Sequence, residues 1–187
     1  MSSAPARPLV VLVGPPGAGK SSVGQAVART TGVGFRDTDD DVARALGKSI
    51  SEVFVDDGEA AVRAAEREAV ARALAEHVGV LALGGGAVTD EATRGRLSEH
   101  TVVFLDVSLT DAVARVGLAR DRPLLLGSPR SQLKQLMDAR RPLYEQVASI
   151  VVDTSGASVD EVAERVLTGI GEARGEARGE ARGEAGS

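Results

Sequence analysis

Leu9-Val10-Val11-Leu12-Val13 runs straight into Gly14-Pro15-Pro16-Gly17-Ala18-Gly19-Lys20-Ser21, and that junction decides the fold. The first five residues are a continuous apolar run rich in valine. Such a run suits a strand buried on both faces, as in a parallel sheet covered by helices. The next eight fit G-x-x-x-x-G-K-[ST] in full. Glycines let the loop curl so that successive backbone N–H groups point inward at phosphate oxygens. The helical stretch that follows, from about residue 19 to 30, adds its positive N-terminal end. Lys20 can reach the β- and γ-phosphates, and the Ser21 hydroxyl can ligate Mg²⁺. A strand, this loop and a helix in that order bind a nucleoside triphosphate with Mg²⁺.

Outward from the loop, apolar runs alternate with helical patterns. Residues 33–35 read as a second strand. Ser49 and Glu52 form a capping box that opens a short helix. Residues 59–77 are dense in alanine, glutamate and arginine and predict a long helix, with Gly79 as its C′ glycine. Residues 80–83 form a strand ending in Gly84-Gly85-Gly86. Strands at 101–107 and 149–152 follow, with helices near 109–116, after Ser128-Pro129, and after a second capping box at Ser158 and Glu161. Strands alternating with helices imply an α/β fold with a parallel sheet. The folded unit is expected to span residues 8–170. Residues 1–7 read as a flexible leader. Residues 171–187 repeat Gly-Glu-Ala-Arg without a large apolar side chain and predict a disordered tail.

Composition narrows the partners. Only four of the 187 residues are aromatic, Phe35, Phe54, Phe104 and Tyr144. That argues against a base-stacking platform for single-stranded nucleic acid. A net charge of −5 argues against a general nucleic-acid binder. No cysteine is present, which excludes disulfides and thiolate chemistry. No apolar run has the length of a membrane span, and residues 1–10 lack the pattern of a secretory signal. The expected setting is therefore cytoplasmic, with no membrane partner. Asparagine is absent, which disfavours a GTP switch that reads guanine through N-K-x-D. The large transport and unfolding ATPases need longer chains. A small-metabolite kinase fits the size.

The acceptor side is drawn from strand ends, where ligands gather in a parallel sheet. Asp37-Thr38-Asp39 follows the second strand. One carboxylate can serve the Mg²⁺ shell and the other can accept a proton from a substrate hydroxyl. Thr38 or Asp39 could equally cap the next helix. Gly84-Gly85-Gly86 leaves bare backbone that a small ligand can approach. Residues 118–126 hold Arg120, Arg122 and Pro123 and read as a lid that closes arginines over phosphates. In Arg140-Arg141-Pro142-Leu143-Tyr144 a paired arginine can fork onto a carboxylate.

The set GPPGAGKSS, DTD, Asp57-Gly58-Glu59 with Arg63, GGGAV, DRPLL and RRPLY, in this order and spacing, resembles the shikimate kinase family over nearly all of residues 8–168. The resemblance implies transfer of the γ-phosphoryl group of ATP to the 3-hydroxyl of shikimate, giving shikimate 3-phosphate and ADP on the route to chorismate. It also implies the nucleoside monophosphate kinase fold, with a five-stranded parallel sheet flanked by helices and a mobile lid. By position, Gly17, Ala18, Gly19, Lys20, Ser21 and Ser22 resemble the family's ATP-binding loop. Asp37 resembles the carboxylate that holds Mg²⁺, alongside Ser21. Asp39 resembles the one that binds the shikimate hydroxyl and acts as base. Arg63 and Arg140 resemble the pair that grips the shikimate carboxylate, with Gly84, Gly85 and Gly86 along the ring and Phe54 as a pocket aromatic. Arg115 resembles an arginine near adenine, and Arg122 the lid arginine. Two departures stand out. Val62 replaces a common phenylalanine, and Asp153-Thr154-Ser155-Gly156-Ala157 lacks an adenine-facing arginine. The expected partners are shikimate and ATP, with the chain a monomer. Competing readings are another small-metabolite kinase, such as a gluconate kinase, and a nucleotide-binding protein without catalysis.

Overall fold

The computed structural model describes residues 7–117 and 128–184. Five strands form one parallel sheet in the order β2-β3-β1-β4-β5. They are β1 (Val10–Val13), β2 (Phe35–Asp37), β3 (Val80–Ala82), β4 (Val102–Asp106) and β5 (Ile150–Asp153). Helices α1 (Lys20–Thr31), α2 (Thr38–Leu46), α3 (Ile50–Asp56), α4 (Glu59–Glu76), α5 (Glu91–Leu97), α6 (Leu109–Val116), α7 (Pro129–Val147) and α8 (Val159–Glu184) connect and cover them. Among the described residues no helix is long and apolar enough to cross a membrane.

The central strand shows why its sequence is apolar at every position. Val10 and Leu12 pack on one face with Val23 and Val27 of α1 and Val162 and Val166 of α8. Val11 and Val13 pack on the other with Val70 and Leu74 of α4, Leu97 of α5 and Tyr144 of α7. All four strand residues are 0–1% exposed. Burying each such side chain contributes roughly 1.5–3 kcal/mol, which favours an all-apolar strand over an alternating one. β1 lies between β3 and β4; the chain builds β2 and β3 on one side of it and then crosses over to build β4 and β5 on the other. A crevice opens at the carboxyl ends of strands at such a point.

Three local expectations change. The second strand is shifted two residues, to Phe35–Asp37, because Phe35 packs against α1 at Gly24 and Arg36 pairs with Asp41 and Glu76. Gly79 is not a left-handed helix terminator; α4 ends at His77 in extended backbone. Gly79 is small because the Gly34 carbonyl occupies the place of a side chain. The Gly-Glu-Ala-Arg repeat, read as a disordered tail from residue 171, continues α8 as helix to Glu184. Nucleating a helix is costly, whereas extending one adds a hydrogen bond per residue. Residues 159–170 supply the nucleus through packing, with Ile170 buried, and glutamate, alanine and arginine all favour propagation.

Candidate active site

The phosphate loop leaves β1 and enters α1 through Gly19, whose φ of 86° is left-handed. No side chain caps this helix start, so its N-terminus faces the cleft without a competing acceptor. Lys20 Nζ donates to the carbonyls of Gly14 at 2.9 Å and Pro15 at 3.2 Å, which folds the ammonium over the loop. Burial lowers the lysine pKa, Asp39 and Asp37 oppose that, and Arg140 adds to it. Ser22 is exposed on the next turn position.

Asp37 ends β2 and caps α2. Its Oδ1 accepts from the Asp39 N–H at 3.0 Å, and its Oδ2 accepts from Ser21 Oγ at 2.7 Å. One carboxylate thus joins the phosphate loop to the acceptor side. The cap expected at Thr38 or Asp39 is Asp37 instead. Thr38 serves a different contact. Its buried Oγ1 accepts from the Gly84 N–H at 3.0 Å and pins the glycine segment to α2.

Each glycine of the triplet meets a different functional side chain. The Asp39 carboxylate lies where a β-carbon of Gly84 would stand, and the Arg63 guanidinium where one of Gly86 would stand. Tyr144 Oη donates to the Gly85 carbonyl at 2.7 Å. Arg140 lies beside that hydroxyl. Burial pushes the tyrosine pKa up to about 12, so it is a donor at all physiological pH values. Arg63 Nη1 donates to Glu66 Oε2 at 2.6 Å and Nη2 to Glu59 Oε1 at 3.4 Å, which orient it from its own helix. Burial, followed by the charge of Asp37, raises the Asp39 pKa to about 6; Lys20 partly offsets the rise. A carboxylate tuned towards neutral pH suits a general base.

On the nucleotide side a cleft of about 600 Å³ runs from Gly17, Lys20 and Ser21 past Asp37 to Thr154 and Val162. Arg115 spans its floor. It donates to the Gly17 carbonyl at 3.2 Å, Thr154 Oγ1 at 3.1 Å and the Thr154 carbonyl at 2.8 Å. Phe54, expected on the acceptor side, lies on the short α3 and is 52% exposed. Val62 is buried. The expected lid, including Arg120, Arg122 and Pro123, lies outside the described residues. Thr38, Tyr144 and Thr154 carry bonds that no spacing announced, although Tyr144 closes the R-x-P-L-Y run.

A family model for shikimate kinase matches residues 16–170. The chain belongs to the shikimate kinase family. A shikimate kinase of Frankia casuarinae is 57% identical over 163 residues, covering 87% of this chain and 72% of that protein. One of Salinispora arenicola is 58% identical over 159 residues, covering 85% and 95%. Among solved structures, shikimate kinase from Acinetobacter baumannii in complex with shikimate superposes with a TM-score of 0.78 at 33% identity, covering 84% of this chain and 89% of that one. The chain has a phosphate-loop sequence and a five-stranded parallel sheet, and Asp39, Tyr144 and Arg63 each meet one glycine of the triplet.

Proposed function

We propose that this chain transfers the γ-phosphoryl group of ATP to the 3-hydroxyl of shikimate, giving shikimate 3-phosphate and ADP, on the route to chorismate and the aromatic amino acids. The observation that carries the reading is the convergence of Asp39, Tyr144 and Arg63 on three successive glycines, with Arg140 beside Tyr144. Two arginines suit the carboxylate of a small ring acid, and bare backbone between them admits the ring.

In this reading Arg63 and Arg140 hold the acceptor so that its hydroxyl faces Asp39. Asp39 accepts the hydroxyl proton as the oxygen attacks the γ-phosphorus, and the bond to the β-phosphate oxygen breaks. Lys20 and the N-terminus of α1 neutralise charge on the phosphates, and Arg122 is proposed to add a further positive charge to the transferred group. Arg115 and Thr154 border the adenine end. Ser21 Oγ and Asp37 Oδ2 are adjacent hard oxygen donors, and that donor set fits Mg²⁺, which takes few protein ligands beside phosphate and water. When bound there, Mg²⁺ supplies positive charge to the β- and γ-phosphate oxygens. Positioning and electrostatics carry the rate. Every named group comes from one chain, so a monomer suffices, and the proposed setting is the cytoplasm. The catalytic unit is residues 8–170.

The test is ADP release by the purified full chain with ATP, Mg²⁺ and either shikimate or gluconate, with the product's phosphate position read by ³¹P NMR. Shikimate-dependent release and a 3-phosphate support the reading. Preference for gluconate, or nucleotide binding without acceptor-dependent turnover, overturns it.

A further inference from the structure

We infer that Arg141 and Asp106 are a positioning pair that sets the reach of Arg140 and Tyr144 into the acceptor site. The inference rests on the proposed role of Arg140.

Helix α7 carries both of those residues, with Pro142 between them. Proline has no N–H to donate to the carbonyl four residues back, and helices bend at such points. A small bend there moves the end of a long arginine side chain. The placement of Arg140 therefore needs an anchor outside the helix.

Arg141 provides one. Its Nη1 donates to Asp106 Oδ1 at 2.9 Å and its Nη2 to Asp106 Oδ2 at 2.6 Å, two parallel bonds that fix orientation as well as distance. Its guanidinium carbon lies 5.8 Å from the centre of the Phe104 ring. Phe104 in turn stacks on Tyr144, with centroids 5.2 Å apart and 23° between planes. The Tyr144 hydroxyl then reaches Gly85. The other end of the pair is rigid. Asp106 is the last residue of β4, and its carbonyl accepts from the Thr154 N–H at 2.8 Å. Thus the sheet end that borders the nucleotide cleft also anchors the helix that borders the acceptor. The Arg141 side chain is 50% exposed and that of Asp106 is 22%, so the pair adds little to global stability; its effect is geometric. Arg141 Nε also donates to Glu145 Oε1 at 2.9 Å, but that bond lies within α7 and does not tie the helix to the sheet.

The experiment compares Asp106→Asn, Arg141→Gln, Arg141→Lys and Glu145→Gln in the full chain. Asp106→Asn and Arg141→Gln are expected to raise the shikimate KM about fivefold to tenfold, with kcat and the ATP KM within about twofold. The double variant is expected to be no worse than either single one, because both remove the same fork. Lysine cannot fork, so Arg141→Lys should not restore the KM. Glu145→Gln should leave it unchanged. Tyr144 is the sole tyrosine of a chain without tryptophan, which gives a ligand-free reading. Its near-ultraviolet circular dichroism should change in the fork variants and not in Glu145→Gln. An unchanged shikimate KM in folded fork variants overturns the inference. So does an equal rise in Glu145→Gln, or a lowered Tm with KM intact. Asp106→Asn preserves shape and decides the matter if Arg141→Gln does not fold. A normal KM in Arg140→Ala would instead overturn the proposed role of Arg140 itself.

Discussion

The carboxylate of Asp39 rests on the backbone of Gly84, in the place a side chain would take. The atom that a new β-carbon would strike is Oδ1 of a movable side chain, and Gly84 has no left-handed φ that would add strain. Gly84→Ala should therefore displace Asp39 and leave the fold intact. The expected result is a fall in kcat/KM on the order of 100-fold, as for a misplaced catalytic group, with Tm nearly unchanged. Steady-state kinetics beside a thermal melt would check both halves. Full activity in the alanine variant would show that Asp39 is not held there during turnover.

The same carboxylate sets a pH dependence. Its pKa rises from 3.8 to about 6 in the folded chain. A base must be ionised, so kcat/KM should rise with pH through about 6 and then level. Stability runs the other way. Between pH 4 and 6 the folded chain binds more protons here than the unfolded chain does, so the ligand-free protein loses stability as pH rises through that window. Asp39→Asn removes the ionisation. It should abolish turnover while gaining stability at pH 7 on the order of 1 kcal/mol, a figure discounted because the carboxylate is partly solvated. Denaturant unfolding at pH 4 and pH 7 measures it, and a loss of stability at pH 7 would count against the burial argument.

Much of this site is legible in the residues because its chemistry needs particular types at particular spacings. Gly14 to Ser21 is one piece of continuous chain, and so is the glycine triplet. What escaped is what depends on chain segments far apart in sequence. Gly84 finds Thr38 across 46 positions, and Arg115 finds Thr154 across 39. No local pattern encodes either bond, since threonine and arginine are ordinary surface residues in most settings. Helix α5, absent from the sequence reading, has only seven residues, too few for a periodic apolar face.

Lys20→Ala should lower kcat by roughly 10²–10³-fold, the loss expected on removing one preorganised donor to a developing charge. The folded chain should tolerate it, because the Lys20 bonds are to the carbonyls of Gly14 and Pro15 at the cleft surface. Single-turnover measurements at saturating ATP separate this from weaker binding. A variant that only raises the ATP KM would assign Lys20 to ground-state binding.

Thr154→Val and Arg115→Ala test the nucleotide floor independently of the acceptor. Arg115→Ala removes both bonds that join Arg115 to β5's exit loop, 3.1 Å to Thr154 Oγ1 and 2.8 Å to the Thr154 carbonyl, whereas Thr154→Val removes only the first. The ATP KM should rise about tenfold in Arg115→Ala, and less in Thr154→Val, which leaves the carbonyl bond in place. The shikimate KM should stay within about twofold. A rise in both KM values would mean that the floor and the acceptor site move as one unit.

The end of the chain offers a contrast between length and packing. Helix α8 has 26 residues, yet the last buried one among those whose side chains are described is Ile170, 5% exposed in the core with α1. Deleting residues 172–187 removes helix but none of the buried side chains among those described. Activity should be unchanged and Tm should move by less than about 2 °C, within the range of surface changes. Ile170→Ala shortens nothing but opens a cavity beneath the sheet, and should cost roughly 2–4 kcal/mol. Melting curves of both variants decide between packing and helix length. If truncation costs as much as Ile170→Ala, the repeat docks on the domain and belongs to the folded unit.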